Sequence, residues 1–67
     1  MRTFERSMRL IRKADRKVDE LEFSLSKNWK YRHHSEMAND IVVELIKDIR
    51  DARMTRNALR SFQREIA

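Results

Sequence analysis

The chain has no glycine, no proline and no cysteine in its 67 residues. At average usage of roughly 7% Gly and 5% Pro, a chain of this length carries about eight of the two together. Without them most turn types lose their usual residues, so strand hairpins and multi-stranded sheets are disfavoured. Glycine-rich phosphate loops, nucleophile elbows and dinucleotide fingerprints are excluded, because each needs a residue without a Cβ. The lack of cysteine excludes disulfides, thiol catalysis and cysteine zinc sites. Long apolar runs are missing too: no segment approaches the ~18 residues of a membrane span. The N-terminal stretch MRTFERSMRLIRKADRK is basic and amphipathic, without the unbroken apolar core of a secretory leader. Glu5 and Asp15 disfavour a transit peptide, and the expected compartment is the cytoplasm.

What the chain does have is charge and helical periodicity. Apolar residues fall at Phe4, Met8, Ile11, Ala14, Val18, Leu21, Leu25 and Trp29, in steps of three and four. Phe4, Ile11, Val18 and Leu25 recur every seventh residue, as along a coiled-coil edge. This predicts a first helix over about 3–31, with Thr3 as its N-cap. The segment KYRHHS, 30–35, interrupts the pattern, and a turn is expected at about 32–35. Ser35 followed by Glu36 reads as a cap and an acid at the start of a second helix, over about 36–66. Met37, Ile41, Leu45, Ile49, Ala52, Leu59, Phe62 and Ile66 form its apolar side. Two helices of similar length joined by a short turn are antiparallel neighbours. The expected fold is all-α, one domain over 1–67, an antiparallel two-helix hairpin.

A chain below about 70–80 residues rarely draws more than ~3–5 kcal/mol from one core. With disulfides and cysteine metal sites excluded, pairing with a second copy is the remaining common device. The run IVVELIKDI gives the second helix an apolar stripe nearly half a cylinder wide, more than one neighbour can cover. A homodimer forming a four-helix bundle is therefore expected, with Ile41, Val42, Leu45, Ile46 and Ile49 as its interface.

Lysine and arginine total 16 against 11 acids, a formal net charge of +5, and arginine outnumbers lysine. Arg2, Arg6, Arg9, Lys13 and Arg16 share one face of the first helix, opposite its apolar seam. Arg50, Arg53, Arg60 and Arg64 follow one flank of the second, so an antiparallel hairpin gathers both clusters toward one end. Phe23, Lys27 and Tyr31, spaced by four, predict an outward aromatic–basic–aromatic row. A plain solvated face accounts for such charge in many helices. The functional reading is a surface for carboxylates or phosphates, which a guanidinium engages in a fork. Asp48 and Arg56 intrude on the apolar side of the second helix, and each is expected to find a partner across an interface. Glu36, Asp40, Glu44 and Asp48 make an acidic ladder near the helix start. Adjacent His33 and His34 diverge and do not present metal-ligand spacing, so no metal or other cofactor is expected.

No nucleophile–base pair and no cofactor motif is present, and the expectation is a non-enzymatic protein. The leading functional expectation is a small regulatory module that binds a larger protein through Arg2, Arg6, Arg9, Lys13, Arg16, Phe23, Lys27 and Tyr31. It would block or recruit that protein, in the manner of phage- or plasmid-encoded anti-activators and adaptors. The alternative is a helical dimer that grips DNA or RNA phosphates through the basic end without reading sequence.

Overall fold

The structure is a computed structural model, and it describes residues 2–66; for the side chains, residues 3–66. Two helices, α1 (Arg2–Trp29) and α2 (Glu36–Ile66), pack against each other as a hairpin. The body is a rod of 51 × 14 × 12 Å, one helix pair thick.

α1 begins at Arg2, so Thr3 lies inside its first turn and does not cap it. It ends at Trp29, the last residue of the apolar pattern and two residues short of 31. The Arg32 guanidinium donates to the Trp29 carbonyl at 2.7 Å, and Asn28 Nδ2 donates to the Ser24 carbonyl at 2.7 Å. The Arg32 donor serves a carbonyl that the helix end leaves without an intrahelical partner, whereas the Ser24 carbonyl lies inside the last helical bonds. The reversal follows as overlapping tight turns, with Tyr31 N–H bonded to Asn28 O, Arg32 N–H to Trp29 O and His34 N–H to Tyr31 O. Among the described residues none adopts positive φ. The chain therefore reverses through right-handed turns alone, and that is how it does without glycine. Ser35 then caps α2 as expected: its Oγ accepts from Ala38 N–H at 3.1 Å, and Glu36 sits in the first turn beside the positive end of the helix.

Between the helices lies one narrow seam. From α1 it takes Ser7, Ile11, Ala14, Val18, Leu21 and Leu25, which recur in steps of three and four. From α2 it takes Ala38, Val42, Leu45, Ile49, Ala52, Arg56, Leu59 and Gln63. The fully covered apolar side chains are Ile11, Val18, Val42 and Ile49, with Val18 only 2% exposed. The seam of α2 is rotated from the one read in the sequence. Met37, Ile41 and Phe62 are exposed, while Ala38, Val42 and Gln63 turn inward. The cause is geometric. Residues spaced strictly by four advance about 40° around a helix at each step, so the run Met37, Ile41, Leu45, Ile49 winds off any single line of contact.

Candidate functional site

The long sides of the seam differ. On one flank α1 presents Met8, Asp15 and Glu22, each seven residues from the next, and α2 answers with Arg53, Arg56, Arg60 and Gln63. The Arg60 guanidinium donates to Asp15 Oδ1 at 3.0 Å, and Arg56 Nε lies 3.8 Å from the same oxygen. Arg53 pairs with Glu22, and Gln63 Nε2 donates to the Met8 sulfur. Arg56 is the least exposed of the three arginines, and its Nε has no hydrogen bond within the protein. The sequence marks it as an intruder on the apolar side, and its ion partner is Asp15 of α1. Asp48, the other intruder, is exposed and takes part in no ion pair among the described residues.

These pairings change the reading of the basic surface. Arg53 and Arg60 are drawn onto acids of α1, so charge counted as free along α2 is partly used to hold the hairpin. On the outer face of α1 the situation is different. Arg6, Arg9, Lys13 and Arg16 are exposed, and among the described residues none of them enters an ion pair. The side chain of Arg2, also assigned to that row, lies outside the described residues.

The aromatic row continues the same face but does not extend as far as the spacing predicts. Phe23 is 62% exposed, and Lys27 Nζ sits 4.5 Å from its ring centroid. That is a cation–π contact one helical turn apart. Tyr31 lies beyond the end of α1 and belongs to the turn, so the row stops at Lys27. Tyr31 is instead part of a second aromatic group at the turn. Lys30 Nζ lies 5.1 Å from its ring and the His34 ring 5.3 Å away, while Arg32 stacks 4.1 Å above Trp29. Trp29, read as a seam residue, is about half exposed.

The residues assigned to a second chain divide in the structure. Val42 and Ile49 are covered by α1 within the hairpin, and Leu45 is half-covered there. Ile41 and Ile46 are exposed. The opposite flank of the seam, not singled out in the sequence, is an open groove between the helices. Leu10, Leu59 and Phe62 line it toward the termini, where Arg6, Lys13 and Arg16 of the basic row border its edge, and Lys17, Asp48 and Thr55 line it toward the middle. The signal for it was Leu10, an apolar residue outside the α1 seam with no role in that helix's own packing. Among the described residues no group of three His, Asp or Glu side chains converges as a metal site, and no helix is long and apolar enough to cross a membrane.

Comparison with known proteins finds no matching family model, no similar curated protein and no similar solved structure.

Proposed function

We propose that this chain is a non-enzymatic interaction module. As a homodimer of hairpins it applies the outer face of α1 to an acidic surface on a larger protein, and so blocks or recruits that protein. The observation that supports this reading is the unequal use of charge. Asp15 and Glu22 draw α2 arginines inward, while Arg6, Arg9, Lys13 and Arg16 stay exposed and free of ion pairs among the described residues. Phe23 and Lys27 extend that face with an aromatic–cation pair. Aromatic and arginine side chains dominate the energetics of protein interfaces. A protein surface is preferred over a nucleic acid for two reasons. One side of the Phe23 ring is already occupied by Lys27, which obstructs base stacking there. The outer side of α2 exposes Asp40, Glu44 and Asp51, which repel a wrapped phosphate backbone.

The test is affinity capture with cross-linking from cells that express the chain, using wild type, Phe23→Ala and the double variant Arg9→Glu/Arg16→Glu. A captured protein lost with both variants supports the reading. Labelled duplex DNA and structured RNA are titrated in parallel at about 50 and 200 mM salt. Tight nucleic-acid binding that collapses between those salts, with no protein captured, overturns it in favour of the phosphate-binding alternative.

A further inference from the structure

The open flank of the hairpin carries an inference that rests on the dimeric reading above and goes further, by saying which surface pairs and how. The geometry points to a second copy of this chain lying antiparallel in the groove lined by Leu10, Leu59 and Phe62 at one end and Lys17, Thr55 and Asp48 in the middle.

The first argument is area. The hairpin exposes 5802 Å². A compact monomer of 8.2 kDa exposes about 4,500 Å², so this rod carries about 1,300 Å² more than its mass requires. A standard interface covers roughly 800 Å² on each partner. One partner along one side therefore removes more than half of that excess. The groove has apolar surface to give: Leu10 is 43% and Phe62 47% exposed, although both flank the seam. The opposite flank also exposes Ile46 and Met54 beside Glu22 and Arg53, but the Asp15 and Glu22 ion pairs already span it.

The second argument is self-complementarity, which a two-fold interface demands: each surface must fit itself after rotation. From the termini toward the turn, the open flank presents Leu10 and Phe62, then Lys17 and Thr55, then Asp48, then Ile41. Ile41, Asp48, Thr55 and Phe62 are spaced by seven and form one row on α2. A dyad across the middle of the groove, near Leu21 and Ala52, brings Lys17 of each copy level with Asp48 of the other, diagonally across the groove. The same rotation lays Leu10 and Phe62 against Ile41 of the second copy. All of these side chains are exposed in the single hairpin, and neither Lys17 nor Asp48 is in an ion pair among the described residues. The half-covered Ala14 and Ala52 at the centre keep the groove shallow there, so helices of two copies can approach closely.

Sedimentation of the full chain over about 1–100 µM reads the dimerisation constant by mass action. Wild type is expected to be a dimer. Leu10→Glu/Phe62→Glu is expected to be monomeric with helicity retained by circular dichroism, and Ile46→Glu to remain dimeric. The deciding measurement is a charge exchange in trans. Lys17→Asp alone and Asp48→Lys alone each place like charges together and weaken the dimer at least about tenfold. An equimolar mixture of the two restores both cross-chain pairs and with them wild-type affinity. Because the exchange uses only exposed positions, it decides the matter even if the Leu10/Phe62 variant fails to fold. A monomeric wild type overturns both the dimeric reading and the groove. A dimer that survives the groove substitutions, or is lost with Ile46→Glu, leaves the dimeric reading standing and overturns the groove. A mixture that does not recover overturns the antiparallel arrangement.

Discussion

Along the flank that holds Asp15 and Glu22, long arginine side chains from α2 reach across to α1 within one chain, with Ile46 and Met54 exposed beside them. Along the other flank, Lys17 and Asp48 are out of step on the rod, and the gap between the helices is left to Leu10, Leu59 and Phe62. The two flanks share the same buried residues and the same pair of helices. What separates them is whether opposite charges stand level with one another. Where they do, the edge is finished by ion pairs that salt can screen. Where they do not, apolar surface remains exposed and the charges are free to pair outside the hairpin. Damage to the first flank should therefore act at every protein concentration. Damage to the second should act through association.

Both flanks depend on the seam, and the largest expected effect lies there. Ile49→Ala removes a fully covered side chain and is expected to cost about 2–5 kcal/mol. That is comparable to the ~3–5 kcal/mol such a small core supplies. The thermal transition followed by circular dichroism should shift to low temperature or disappear. A shift of only a few degrees would mean that stability resides elsewhere, and the seam could no longer be treated as common to the two flanks.

On the closed flank, Asp15→Asn removes the acceptor charge for Arg60 and leaves half-buried Arg56 beside a neutral amide. The expected loss is about 1.5 kcal/mol, the lower end for a hydrogen bond to a charged group because the pair is partly screened. The loss should be the same at low and high protein concentration. A concentration-dependent loss would show that Asp15 serves a contact between copies and would erase the distinction between the flanks.

How far the sequence reveals this arrangement differs between the helices. In α1 the seam is legible from Ile11 to Leu25, because Ile11, Val18 and Leu25 repeat by seven and are wholly or partly covered, while Phe4, which begins the same repeat, is exposed. The start of α2 is legible as well, since a serine before an acid has a specific chemical use at a helix N-terminus. The seam of α2 is harder to read. Its inward row includes Gln63, which pattern alone assigns to solvent, and Arg56, a charge that the spacing sets on the apolar side, while Met37, Ile41 and Phe62, which pattern assigns to the core, stand outside. Hydrophobicity ranks residues but does not say which line of contact the partner helix follows. Here that line is fixed partly by Asp15 and Glu22, two acids on α1 that carry no apolar signal. The exposed basic row of α1 was legible for the same reason its seam was. The end of the aromatic row at Lys27 was not, because it depends on the Arg32 side chain and backbone meeting the Trp29 carbonyl where the helix closes.

Ser7 offers a gain in stability. It is 3% exposed in the seam, and its Oγ has no hydrogen-bond partner within the protein. Ser7→Ala removes an unpaired hydroxyl and improves helix propensity, for an expected gain of about 1 kcal/mol. A higher melting temperature at unchanged dimerisation would place the effect in the seam. A fall in stability would mean that the hydroxyl finds a bond, for instance to a trapped water.

The smallest expected effect separates the members of the closed flank from each other. Glu22 and Arg53 are both substantially exposed, unlike the Asp15–Arg56 contact, where the arginine is half-buried. Glu22→Gln should therefore cost only about 0.5 kcal/mol or less, the usual worth of an exposed pair. At about 1 M salt, where the screening length falls to about 3 Å, even that difference should vanish. Part of the Asp15→Asn loss should persist in the same buffer, because the partly covered Arg56 is screened less. Equal salt sensitivity in the two variants would mean that burial of Arg56 contributes nothing, and the closed flank would then be held by surface charge alone.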